Sequence, residues 1–228
     1  MIPDGGRPPP PCRRPGRSEF LWRLRPAGRP KNRNLEGRAR GFRSEAEADE
    51  RATGGGHVSG QVVRSAQRVD SRALRDAFAS FATGVTVVTV GGPAAHGMTA
   101  NSFASVSLSP PLLLVCVHSK AQMHGLLASG TAFGISVLAE HQRDLAAYFS
   151  NPGRPTGMAQ FRCTATVPGS HTGVPLIAGA LAHFECEVRN RYEAGDHTIV
   201  VGHVCSLYRS GGSPLLFVSG RYGHTGTH

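Results

Sequence analysis

Thr99, Asn101, Ser102, Ser105 and Ser107 crowd hydrogen-bonding side chains into GMTANSFASVSLSPP, Gly97 to Pro111. At the two-residue period of a strand, Thr99, Asn101, Phe103, Ser105 and Ser107 share one face, a line of small polar groups around a single apolar ring. Such a face can bond the edge of a flat, polar-rimmed ligand. It is equally what a solvated edge strand carries, and the stretch alone leaves both readings open. His197 follows the turn residues Gly195 and Asp196 at the start of an apolar run, where a group titrating near neutrality can offer a proton or a hydrogen bond. A packed structural histidine is the competing reading, and it is the one preferred for His203, deeper in the same run. Lys120 is the one lysine after residue 68. It sits between an apolar strand and a helix start, where a cation beside free N–H groups makes an anion site, and where a solvated lysine is also ordinary. Near the end, Gly220, Arg221 and Tyr222 offer a guanidinium suited to phosphate or carboxylate, or simply an exposed terminus.

Several chemistries lack their motifs. No dinucleotide fingerprint follows a strand, and there is no phosphate-binding P-loop or G-x-S-x-G nucleophile elbow. His224 and His228 are four apart but lie in a Gly/Thr-rich end unlike a helix, so no metal site is expected. The five cysteines, Cys12, Cys116, Cys163, Cys186 and Cys205, show no zinc-ribbon or thioredoxin spacing. Cys116, Cys186 and Cys205 lie in apolar runs, which predicts buried free thiols in a reducing cytoplasm. No run approaches the length of a membrane span or a secretory leader, so a soluble, cytoplasmic protein with no membrane partner is expected.

The elements that must hold these residues begin near residue 69. Residues 1–68 carry 15 of the 25 Lys+Arg and 7 of the 15 Asp+Glu, a net of +8, whereas 69–228 carry a net of +2. The basic character thus belongs to a Pro/Gly/Arg-rich extension that cannot bury enough apolar surface to fold, and no nucleic-acid partner is expected for the globular part. No Met follows Met1 until Met98, so a shorter product would begin at a non-Met codon such as one for Val62, Val63 or Val69. From Asp70 or Ser71 a helix is expected, with Leu74, Ala77, Phe78 and Phe81 covering a core and Gly84 ending it. A strand over 85–90 and the polar strand over 97–108 form a hairpin, and an apolar strand covers 112–117. Helices are expected over 121–129 and 141–150, the latter with Leu145, Tyr148 and Phe149 inward. Further strands fall at 132–138, 180–192, 197–208 and 215–219, and 151–178 is loop-rich. Strands dominate and regular strand–helix alternation is missing, so the fold class is mainly β: a closed or nearly closed antiparallel barrel with a few peripheral helices.

Four segments in order, FATGVTVVT at 81–89, HGMTANSFASVSLSPPLLLVCV at 96–117, AGDHTIVVGHV at 194–204 and PLLFVSGRYG at 214–223, resemble the flavin reductase family of FMN-binding split barrels. More narrowly, they resemble the reductase components of two-component flavin-dependent monooxygenases. The resemblance implies a homodimeric split β-barrel over 69–228 that uses NADH or NADPH to reduce FMN or FAD and releases reduced flavin to a monooxygenase partner. It places Thr99, Ala100, Asn101 and Ser102 near the isoalloxazine, and Val106, Ser107 and Lys120 toward the ribityl and phosphate end. His197, with Gly220, Arg221 and Tyr222, falls in the nicotinamide region, and Phe149 flanks the cofactor. Hydride transfer between these cofactors asks the protein only to stack, orient and hydrogen-bond them, which agrees with the missing catalytic carboxylate pair. Competing readings are a non-catalytic flavin- or haem-binding module and a pyridoxamine-phosphate-oxidase-type oxidase.

Overall fold

The computed structural model describes residues 70–226; the expected disordered extension, 1–68, lies outside the described residues. Asp70 caps the first helix, α1 (Ser71–Ala79), its carboxylate accepting from the Ala73 N–H at 3.0 Å. The helix ends at Ala79 with Ser80 as its cap rather than at Gly84, and it buries no side chain. Leu74, Phe78 and Phe81, expected to cover a core, are 41%, 69% and 76% exposed. The 3.6-residue period says that a face needs covering, not which chain covers it.

Twelve strands follow: β1 (Thr83–Gly84), β2 (Thr86–Val90), β3 (His96–Ala100), β4 (Ala104–Leu108), β5 (Pro111–His118), β6 (Ala132–Val137), β7 (Thr166–Pro168), β8 (Pro175–Ile177), β9 (Ala182–Ala194), β10 (His197–Arg209), β11 (Leu215–Val218) and β12 (Arg221–His224). Helix α2 (Gln122–Ser129) lies between β5 and β6, and α3 (Arg143–Ser150) after β6. Seven strands form one antiparallel sheet in the order β3-β2-β6-β9-β10-β5-β4.

That order corrects the polar strand expected over 97–108. The run is two strands, at opposite edges of the sheet, joined by only Asn101, Ser102 and Phe103. Three residues span about 10 Å, so the sheet must curl until its edges nearly meet. The result is a barrel split along one seam. The face shared by Thr99, Asn101, Phe103, Ser105 and Ser107 therefore does not exist, because a side-chain period of two holds only within one unbroken strand.

Apolar residues fill both sides of the barrel wall. β2 is buried along its whole length. Val88 and Val90 pack inside with Val115, Val117, Phe133, Ile135, and Met123 and Leu127 of α2. Val85 and Val87 pack outside with Leu138, Phe149, Phe161, Ile177 and Leu215. Both faces being dry explains the unbroken β-branched run TVVTV. Of the three expected buried thiols, Cys186 is buried, while Cys116 and Cys205 are half-buried; all three are free. The loop-rich 151–178 contains a 3-10 turn at Gly157–Phe161 and the β7–β8 hairpin. The expected last strand gains a partner, β12, across a tight turn in which Ser219 and Gly220 both have positive φ, 49° and 75°.

Candidate functional site

The seam is where the polar residues gather. Ser102 donates to the Cys116 carbonyl oxygen at 2.8 Å and accepts from the Cys116 N–H at 3.1 Å, pinning the β3–β4 join onto β5. β4 pairs with β5 only as far as Leu114, so Ser102 supplies what a strand would otherwise give Cys116 on that side. Phe103 turns inward and stacks on Phe184, ring centroids 5.8 Å apart. Asn101 is left exposed at the mouth of the seam.

Two residues past Cys116 on β5, His118 sits directly opposite His197 on β10. Their rings meet edge to face at 5.0 Å, and Asp196 lies against both: its carboxylate is 2.7 Å from His197 Nδ1 and 3.8 Å from His118 Nε2. The hydrogen bond with His197, then the nearby imidazoles, hold the Asp196 carboxyl below its usual range. The Lys120 N–H donates to His118 Nδ1 at 3.0 Å, which leaves the ring proton of neutral His118 on Nε2, toward Asp196. Neutral His197, donating from Nδ1 to the carboxylate, presents a free Nε2 lone pair. His118 and Asp196 escaped sequence reasoning. Asp196 could have been read from its place before His197, but His118 needed the β5–β10 register.

The edge strand β3 is held by side chains in place of a neighbouring strand. Fully buried Gln160 accepts from the Gly97 N–H at 2.9 Å and donates to the Ala95 carbonyl at 2.9 Å. Arg154 donates to the Gly97 carbonyl oxygen and lies 2.9 Å from His96 Nε2. Burial, and then the Arg154 charge, push the His96 imidazole down to about 4, so it is neutral. A Cβ on Gly97 would come within 2.7 Å of the Phe149 ring, which explains glycine there. Neither the His96–Arg154–Gln160 set nor its purpose was legible in the sequence, since His96 lies 58 residues before Arg154.

The remaining expected residues divide. Thr99 spends its hydroxyl proton on the Ala146 carbonyl of α3 at 2.7 Å, and Ala100 is buried, its carbonyl accepting from the Thr86 hydroxyl. Val106 is 49% exposed and Ser107 half-buried on β4. Ser107 pairs with Leu112 at the start of β5, and Lys120 follows its end, a separation of about 20 Å along the strand. One chain therefore does not bring Ser107 and Lys120 to a common phosphate. Phe149 is fully buried between Gly97, Phe161 and Tyr148, and presents no surface to a cofactor. Gly220, Arg221 and Tyr222 belong to the β11–β12 hairpin rather than a loose end. Arg221 is exposed, and Tyr222 packs on Phe217 under the Arg143 guanidinium of α3. Burial pushes the Tyr222 phenol up. Helix α3 thus touches both Thr99 and Tyr222, tying the seam side to the C-terminal hairpin.

The site so built has an exposed amide and hydroxyls at a seam, a carboxylate-oriented imidazole pair beside it, and a cation at the end of β5. It has no acid–base carboxylate pair and no activated nucleophile among these residues. It can orient and hydrogen-bond a planar ligand, and its chemistry must come from what it binds.

Comparison with known proteins agrees. The sequence model described as Flavin reductase like domain matches residues 78–226. An NADH-dependent FAD reductase of Streptomyces globisporus is 50% identical over 150 residues, 65% of this chain and 82% of that protein. Among solved structures, BorF, the flavin reductase component of a bacterial two-component tryptophan halogenase, aligns with 49% identity and a TM-score of 0.67 over 70% of this chain and all of that one. The NADH:FAD oxidoreductase SgcE6 of Streptomyces globisporus C-1027, solved with NAD and FAD fragments, aligns with 46% identity and a TM-score of 0.65 over 71% of this chain and 98% of that one.

Proposed function

Since the chain belongs to the flavin reductase-like domain family, we propose that it is an NADH-dependent flavin oxidoreductase that reduces FAD or FMN and supplies the reduced flavin to a separate flavin-dependent monooxygenase. The observation that carries this reading is the seam. Asn101 and Ser102 lie at the one break in the barrel wall, two residues along β5 from the His118–Asp196–His197 cluster.

The residues fit a flavin. On the outer face of β5 and β10, Leu112, Leu114, Cys116 and Ile199 make a half-buried apolar shelf for a planar ring system, and Asn101, exposed at the β3–β4 join, would edge it with a polar group. Alternation along β5 puts these residues outward, since Leu113, Val115 and Val117 point into the core. Lys120 or Arg221 would face phosphate charge. Bound nicotinamide supplies the hydride and bound flavin accepts it. The chain's part is to hold the two in register: His197 Nε2, its tautomer set by Asp196, would accept from the carboxamide N–H of the nicotinamide, and the pinned Ser102 would hold the flavin edge.

The active form is proposed to be a homodimer in the cytoplasm. Val106, Leu108, Phe78 and Phe81 are 49%, 94%, 69% and 76% exposed, apolar side chains that a second copy would cover. A second copy would also supply the missing half of a site in which Ser107 and Lys120 lie far apart. Among the described residues no helix is long and apolar enough to cross a membrane.

Anaerobic mixing with NADH and either FAD or FMN tests the activity. Loss of NADH absorbance matched one-for-one by bleaching of flavin is expected; bound flavin without NADH loss would instead establish a carrier. Turnover of pyridoxamine phosphate would establish the oxidase reading.

A further inference from the structure

Away from the seam, on the outer face where the β9–β10 hairpin meets the loop before β8, a histidine, a carboxylate and a thiol converge. One ligand atom each from His171, Glu187 and Cys205 lie within 4.8 Å of one another, with His171 Nε2 and Glu187 Oε1 3.5 Å apart. We propose that these three side chains bind a zinc-class divalent transition metal, with a fourth position open to water.

Several features built into the chain aim the donors at one point. Cys205 is the unpaired residue of a β-bulge: β10 pairs Val204 with Cys186 and Ser206 with Glu185, leaving Cys205 over. Bulges re-aim a side chain that a regular strand would direct elsewhere. His203 is opposite Glu187, and its Nδ1 lies 3.7 Å from the Cys205 sulfur, in range of an N–H···S bond that would steady a thiolate. His171 sits on a loop that cannot swing freely, because the buried Glu185 carboxylate accepts from the Ser170 hydroxyl, the His171 and Thr172 N–H groups and the Thr172 hydroxyl. Two donors therefore stand on paired strands and the third on a clamped loop.

The spacing suits the ion. Bonds of about 2.0–2.3 Å at tetrahedral angles put neighbouring donors about 3.3–3.6 Å apart, so 3.5 Å between His171 and Glu187 is already an edge of the tetrahedron. The 4.8 Å limit leaves at most a small side-chain adjustment, which the half-exposed His171 and Glu187 can make. A thiolate and an imidazole with one carboxylate favour a zinc-class ion over magnesium or calcium. Beside them an open pocket of about 410 Å³, lined by Thr131, Ala132, His171, Thr172, Glu187 and Val188, gives the fourth position access to solvent. Loading releases one proton to solvent, the thiol proton that now points to the His203 carbonyl oxygen at 3.4 Å.

The full chain, stripped with a chelator under reducing conditions, is titrated with Zn²⁺ against a chromophoric competitor and, separately, with Co²⁺ followed by absorbance. The expected result is one ion per chain, release of one proton, and a cysteinate-to-cobalt charge-transfer band with d–d bands of tetrahedral intensity. Cys205→Ser should abolish the charge-transfer band. That variant, His171→Gln and Glu187→Gln should each weaken zinc binding about tenfold or more, while His224→Gln leaves it unchanged. A parent chain without a charge-transfer band overturns the proposal without recourse to any variant. So does a band that survives Cys205→Ser, or zinc affinity that stays at the parent's value in all three variants. Circular dichroism and flavin-dependent NADH oxidation show whether each variant is folded, and neither depends on the metal.

Discussion

Ser102→Ala tests whether the barrel seam is closed by one hydroxyl. The side chain makes two bonds to the same residue, one donated to the Cys116 carbonyl and one accepted from its N–H. No strand replaces them, because β4 leaves β5 at Leu114. At about 1 kcal/mol net for each bond, the variant loses about 2 kcal/mol. For a domain of this size that lowers Tm by about 4–8 °C. Local opening at the seam rises by roughly thirtyfold on the same figure, so amide hydrogen exchange at Cys116 should accelerate by that order while exchange in β2 and β6 changes only with global stability. The flavin KM should rise, because Asn101 is the neighbour released, and Ser102→Thr should restore much of both effects by returning the hydroxyl. Unchanged Cys116 exchange together with an unchanged flavin KM in Ser102→Ala would refute the pinned seam. A Tm drop without local acceleration would mean that Ser102 supports the fold but not the site.

His197→Ala is expected to raise the KM for NADH about tenfold, the worth of one oriented hydrogen bond of about 1.4 kcal/mol, with a smaller change in kcat; Asp196→Asn, which frees the ring to change tautomer, should act in the same direction and less. His96 makes stability fall in mild acid. Its folded-state value of about 4 lies below the ordinary 6.5, so the unfolded chain binds the extra proton between those values. The stabilisation is whole above pH 6.5 and lost as pH falls toward 4, amounting to about 3 kcal/mol, and denaturant titrations of His96→Gln should show a flatter profile across that window. Gln160→Leu strands the Gly97 N–H and the Ala95 carbonyl in a buried place and should cost about 3 kcal/mol by urea unfolding. Leu108→Asp should shift the sedimentation coefficient from dimer to monomer with the barrel's circular dichroism intact.

The residue types carried much of the molecule. Alternation and β-branched runs located β2, β5, β6, β9, β10 and β11 to within about two residues, and the missing strand–helix alternation pointed to an antiparallel barrel. Local chemistry narrowed the first helix cap to Asp70 or Ser71, of which the structure uses Asp70, and marked the turn at Gly195 and Asp196, since each depends on neighbours within four residues. Type and motif singled out His197 and the segment from Thr99 to Ser102 as candidates. What the chain order could not convey was which strands become neighbours. The break at Asn101–Phe103 looks like continuous strand, because hydroxyl-rich alternation is the same whether or not the backbone bends out of one sheet edge into the other. Phe149 reads as an inward aromatic, but only packing under Gly97 shows that it is sealed from any ligand. His118 became a partner of His197, and Cys205 a partner of His171 and Glu187, through register and a bulge. The local sequence set which groups are present and how the nearest backbone turns, because those are short-range preferences. Tertiary structure alone decided which groups meet, because pairing across 14 to 79 residues is fixed by burial and hydrogen-bond closure of the whole barrel.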